Sequence, residues 1–297
     1  MFVISSRKGG TDARAFADWE HLFQISSGGD WTEKSFSDLF SRVEGKRVLV
    51  LVHGFNNPFD FIKEEYRKAA YYNRRYFNGH YDLVVGYLWP GGNSHFDYFL
   101  AREHTATAAG RLRHWLAELY QNGAQIDLMG HSLAAQVGYR MLESEPEFTI
   151  GNVFSFGAAI SERVLASAAK LESLLAKVRT FFAFYTRDDV VLKYGFRLLE
   201  QHTALGYTGP VLNRKLEASG KINAIDCTGL IANHSGYLNS EPVLTKVGEI
   251  LKKQAGVTNG KLKKAGVPNE LGKPVNRMRQ NYKIQGSESS RPVWSST

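Results

Sequence analysis

Residues 124–142 read AQIDLMGHSLAAQVGYRML, an apolar run that reaches Gly130, a serine within Gly130-His131-Ser132-Leu133-Ala134, and then a helical pattern. A buried strand, a tight turn and an amphipathic helix in that order are what a serine needs to be lifted out of a sheet edge. Small flanking residues let the strand and helix backbones approach, and Gly130 meets that need. Ala134 stands where the usual G-x-S-x-G elbow has its second glycine, so it fits with one methyl more. Alone, the motif reads equally well as a helix N-cap, in which the serine side chain accepts from an orphan helical N–H.

The surrounding pattern decides between them. KRVLVLVHGF (46–55) is a β-branched strand ending at His53-Gly54, and PFDFIKEEYRKAAYYNRRYF (58–77) is helical with a first-turn proline. YDLVVGYLWP (81–90) is a strand, SHFDYFLAREHTATAAGRLRHWLAELYQN (94–122) a long helix, and AQIDLM (124–129) the strand before the serine. Beyond it come NVFSFGAAI (152–160), SERVLASAAKLESLLAK (161–177), VRTFFAFYTRDD (178–189), INAIDCTG (222–229) and EPVLTKVGEILKKQ (241–254), alternating strand and helix. Such alternation predicts a doubly wound, mostly parallel α/β sheet flanked by helices, with all parallel strands ending on one edge. Residues 1–254 are expected to form this domain with its core at 46–254. The segment 195–221 is a long excursion suited to a small cap, and 255–297, rich in Gly, Lys, Asn, Ser and Pro, is expected to be a flexible tail.

A serine hydroxyl is a weak nucleophile and needs a base, itself oriented by an acid. Only His202 and His234 follow Ser132. His234 sits in a short loop between the last strand and the last helix, so it is preferred; His202 falls at helical distance from Leu198 and Leu199 within the excursion. The acid is expected at a strand end, where Asp188 and Asp189 lie, and Asp189 is favoured because Val190-Val191-Leu192 would anchor its backbone. The loop after 46–53 offers a second oxyanion amide at Phe55 beside that of Leu133, with Gly54 permitting close backbone approach. Asn56 and Asn57 either pin that loop or merely form its turn. His53 is expected to be structural.

HGFNN at 53–57, GHSLA at 130–134, TRDD at 186–189 and NHSG at 233–236 occur in an order that resembles the α/β-hydrolase superfamily. More narrowly, the chain resembles bacterial uncharacterised esterase-like and lipase-like members with an HGFNN loop and a GHS-L/M elbow, over residues 46–254. The resemblance implies Ser132 as nucleophile, Asp189 as acid, His234 as base and Phe55 and Leu133 as oxyanion donors. It implies a serine hydrolase of carboxylic esters working through an acyl-enzyme, on a small-molecule or lipid ester. A catalytically inactive binding protein on the same fold is the rival from a different class.

Composition narrows the remainder. One cysteine, Cys227, excludes an internal disulfide and a cysteine metal cluster, and suits a reduced cytoplasmic compartment. The absence of H-E-x-x-H and P-loop motifs leaves no metal or cofactor expected. The net charge of +8 resides in residues 252–297, which hold ten Lys/Arg against Glu270 and Glu288. Residues 255–297 are therefore the part suited to a weak contact with an anionic membrane or nucleic acid, or the route by which a phospholipase or lipase would reach such a membrane.

Overall fold

The computed structural model describes residues 1–264 apart from 27, 145, 165–175 and 213–217, with side chains described as far as Ala255. The chain divides into two units, Met1–Ala255 and Gly256–Thr297, and the sheet and the candidate site belong to the first.

The elements are β1 (Phe2–Lys8), β2 (Asp12–Ile25), β3 (Trp31–Glu33), α1 (Phe36–Phe40), β4 (Arg47–Val52), α2 (Phe59–Arg75), β5 (Leu83–Leu88), α3 (Tyr98–Gln121), β6 (Gln125–His131), α4 (Ala134–Glu143), β7 (Ile150–Phe156), β8 (Val178–Tyr185), a π-helical turn Val191–Phe196, α5 (Arg197–Glu200), α6 (Leu205–Thr208), β9 (Ile222–Asp226) and α7 (Glu241–Lys264). The strands form one sheet in the order β3-β2-β1-β5-β4-β6-β7-β8-β9. From β1 to β9 every neighbouring pair is parallel, and only β1–β2 and β2–β3 are antiparallel.

Period-two alternation builds the layers. Val48, Val50 and Val52 of β4 join one apolar cluster with α3 and α4, whereas Leu49 and Leu51 join the other with α2 and α7. Both faces are covered, as a parallel sheet requires. Each fully buried branched side chain here is worth about 1.5–3 kcal/mol against exposure. The chain steps from β4 to β5 on one side through α2, then returns to β6 on the other side through α3. The order therefore reverses at β4, and the crevice beyond the carboxyl ends of β4 and β6 is the natural ligand site of such a sheet.

The sheet reaches beyond the expected core at 46–254: the successive strands β1–β3 extend it past β5. The expected helix at 161–177 lies for the most part outside the described residues, as do 213–217 of the candidate cap and 265–297 of the tail. Finally, α7 does not stop at Gln254 but runs to Lys264. Gly256 and Gly260 weaken that helix without ending it, since an internal glycine costs only about 1 kcal/mol relative to alanine.

Candidate active site

β6 delivers the serine. Its ladder with β7 continues one residue past the strand, with Ser132 N–H donating to Phe156 O at 3.0 Å. The Ser132 carbonyl then accepts from Ala135 N at 3.0 Å and Ala159 N at 3.1 Å, so its backbone is held from both sides. The residue itself has φ = 58°, a left-handed conformation that is rare for a side chain larger than hydrogen. Glycines give it room. A Cβ on Gly54 would lie 2.8 Å from His131 O and 2.9 Å from Ser132 Cβ, and one on Gly130 would lie 3.1 Å from Ala134 Cβ. The methyl of Ala134 is thus accommodated because position 130 has none.

Ser132 Oγ is 2.8 Å from His234 Nε2, and His234 Nδ1 is 2.6 Å from Asp189 Oδ2. A carboxylate only accepts, so Nδ1 carries the proton and Nε2 offers its lone pair to the serine hydroxyl. Asp189 is fully buried, and its second oxygen accepts from Leu192 N–H at 2.9 Å. The following Val190-Val191-Leu192 segment therefore fixes the carboxylate plane. Asp188 points elsewhere: it is exposed, and its Oδ2 accepts from Gly229 N–H at 2.7 Å, tying the loop after β8 to the loop after β9. His202 is exposed on the excursion.

His131, next to the serine, donates its Nε2 proton to the His234 carbonyl at 2.7 Å. Burial first, and then the neighbouring His234, push the His131 imidazole down to about 3, so it stays neutral in this role.

Beyond β4, His53 donates from Nδ1 to Gly54 O at 2.8 Å, and its Nε2 accepts from Trp89 N–H at 3.1 Å. Burial and the adjacent Arg7 charge hold this imidazole well below the ordinary histidine range, and its ring nitrogens are both engaged. Asn56 has φ = 55° and donates its backbone N–H to Gly91 O at 2.9 Å; its side chain reaches His95 Nδ1 only at 3.5 Å. Asn56 is thus a turn former, in the left-handed region that asparagine tolerates. Phe55, Leu133, Ser132 and His234 line one cavity of about 620 Å³. Among the described residues the backbone amides of Phe55 and Leu133 have no acceptor.

Arg7 was missed in the sequence. It is fully buried at the end of β1, where its Nε donates to Trp89 O at 2.9 Å and its Nη2 to Asn57 O at 2.9 Å. One guanidinium therefore ties the loop after β5 to the loop after β4, which carries Phe55. Burial lowers it to about 10, still well above neutrality, so it remains a cation held by carbonyl dipoles. The signal was present as a lone arginine closing the strand-like FVISSRK, but nothing local says that such an arginine is buried.

Part of the 195–221 excursion walls the same cavity, through Gly195, Phe196 and Leu199. Ala204 and Leu205 instead tuck fully into the body, with Leu205 N–H donating to Ile160 O at 2.8 Å.

The chain is similar to an uncharacterized membrane protein of Schizosaccharomyces pombe, 32% identical over 124 residues. That match takes in 40% of this chain and spans only 15% of the length of the yeast protein. Among solved structures, esterase PE8 aligns with a TM-score of 0.45 at 17% identity, covering 71% of this chain and 93% of its own. An esterase of Pyrobaculum calidifontis aligns with a TM-score of 0.44 at 11% identity, covering 86% of this chain and 85% of its own. The family model described as "Alpha/beta hydrolase of unknown function (DUF900)" matches residues 30–251, from β3 into α7 and through every loop that carries the site. The chain belongs to this alpha/beta-hydrolase family.

Proposed function

We propose that the protein is a serine hydrolase of carboxylic esters, with Ser132 as nucleophile, His234 as general base and acid, and Asp189 as the residue that orients and electrostatically supports His234. The observation that carries this reading is the continuous hydrogen-bonded chain from Ser132 Oγ through both nitrogens of His234 to a fully buried carboxylate. Buried helix caps do not need a base and an acid in series behind them.

The reaction on this reading is an acyl transfer. His234 Nε2 takes the Ser132 proton as Oγ attacks the ester carbonyl. The negative charge that develops on the carbonyl oxygen meets the amides of Phe55 and Leu133, the latter at the opening of α4, where peptide dipoles favour an anion. His234 then gives its proton to the leaving alcohol, leaving an acyl group on Ser132. A water, deprotonated by the same nitrogen, attacks the acyl-enzyme and releases the acid with Ser132 restored.

Gly54 lets the Phe55 loop lie against the serine turn, and Arg7 and His53 hold that loop from below. The buried, unpaired Cys227 suits a reducing, cytoplasmic setting. No helix among the described residues is long and apolar enough to cross a membrane. Turnover of p-nitrophenyl esters by the wild type, and its loss in Ser132→Ala, tests the reading. Equal rates in both proteins would overturn it.

A further inference from the structure

The cavity that opens on Ser132 does not end there. Its wall continues along Leu51 and Leu49 of β4, Ile62, Tyr66 and Ala69 of α2, then Met129, Phe77 and Leu244. Leu49 lies three residues before Val52, about 10 Å farther down the strand from the catalytic edge. These residues belong to the apolar cluster between the sheet and α2 and α7, so the cavity enters the core of that layer.

The polar residues along α2 in this wall are Glu65, Tyr66 and Tyr72, and each has a partner, Tyr72 Oη donating to Asn239 Oδ1 at 3.5 Å. Tyr66 Oη donates to Tyr87 O at 2.8 Å, and Glu65 pairs with Lys68 at 3.1 Å. A polar acyl group entering this arm would leave its own donors and acceptors unpaired, at a cost of about 1–3 kcal/mol each. A hydrocarbon chain meets no such cost. The mouth has the same character, for Phe61, Val191 and Leu199 line it while remaining partly exposed.

We propose that the acyl group carried by Ser132 is that of a long-chain fatty acid, with its hydrocarbon tail running from the serine down the arm between β4 and α2. This rests on the ester-hydrolase reading for the chemistry at Ser132, but occupancy of the arm is a binding property that stands apart from turnover. Each methylene that enters the arm leaves water, which is worth about fourfold in affinity.

The test measures binding of hexanoate, decanoate and hexadecanoate to the Ser132→Ala protein, by displacement of a fluorescent fatty acid. The same acids as p-nitrophenyl esters are followed with the wild type. Affinity and kcat/KM are expected to climb steeply with chain length, by tenfold or more from six carbons to ten. Ala69→Phe, placed in the middle of the arm, is expected to lower hexadecanoate affinity at least tenfold more than hexanoate affinity. Ala69→Val is expected to do so in smaller measure, with its fold checked by circular dichroism. The wild-type series needs no variant at all.

Affinity that is flat with chain length, or unchanged selectivity in both Ala69 variants, would overturn the proposal. Short-ester turnover combined with flat binding would overturn the arm and leave the hydrolase standing. Chain-length-dependent binding with no ester turnover would do the reverse.

Discussion

His131 donates its Nε2 proton to the backbone carbonyl of His234, so the residue preceding Ser132 holds the loop that carries His234. The two rings also lie 4.7 Å apart, centroid to centroid. A protonated His131 would place a cation beside His234, and burial opposes that charge. The folded-state value, about 3, lies below the unfolded one near 6.5.

The sign of the pH dependence follows. The unfolded chain binds the proton first as pH falls through about 6.5, so His131 destabilises the fold progressively from there toward pH 3. His53, held low by burial and Arg7, acts in the same direction. Urea unfolding between pH 8 and 5 is expected to show stability falling by at most about 1.4 kcal/mol per pH unit for each such histidine below pH 6.5. His131→Gln can keep the donor to the His234 carbonyl and lacks the titration, so its slope should be shallower. An unchanged slope would refute this assignment.

Asp189 and Asp188 separate cleanly by partner. Asp189→Asn is expected to lower kcat by about 10⁴-fold, because an amide facing His234 Nδ1 no longer holds the needed tautomer. Asp188→Asn keeps an oxygen for the Gly229 amide and is expected to change kcat by less than about tenfold. Steady-state kinetics on a common ester checks both, and comparable losses in the two variants would contradict the geometry.

Arg7 joins two loops from a strand that contributes nothing else to the site. Arg7→Met leaves the Asn57 carbonyl without its donor, at about 1–3 kcal/mol, while Trp89 O keeps the Gly91 N–H and loses only its tie to β1. The Phe55 loop should then loosen, with kcat falling roughly 10- to 100-fold and KM changing less. Guanidinium unfolding and a kcat-against-KM comparison test this. A stability loss with kcat intact would confine Arg7 to structural support.

The elbow's departure from the usual glycine can be tested as a pair. Gly130→Ala brings its new methyl 3.1 Å from Ala134 Cβ and is expected to cost about 1–3 kcal/mol. Adding Ala134→Gly should recover part of that cost, giving a coupling of about 0.5 kcal/mol or more in a double-mutant cycle. Ala134→Gly alone should lose about 0.5–1 kcal/mol of helix stability without a gain in rate. Strict additivity would show that the two methyls do not meet.

The sequence was most legible where one local pattern determines one structure. β4, β6 and α4 follow from β-branched runs and helical spacing, and the chain order of Ser132, Asp189 and His234 singled out a set that lies within hydrogen-bond distance. The N-terminal strands were illegible for the opposite reason. Ser5, Ser6 and Arg7 are fully buried, a placement set by β2, β5 and the loops above them rather than by residues 1–8. The same holds for His131, whose task depends on a carbonyl more than a hundred residues away. The deep arm of the cavity arises from the gap between α2 and the sheet, and no spacing in the sequence encodes a gap.

The central claim is that Ser132 is an activated nucleophile. Treatment of the folded protein with a fluorophosphonate, followed by peptide mass spectrometry, measures this without knowledge of the substrate. Covalent modification is expected at Ser132, abolished in Ser132→Ala and strongly slowed in His234→Ala. A folded wild-type protein that stays unmodified, or is modified only at another residue, would contradict it.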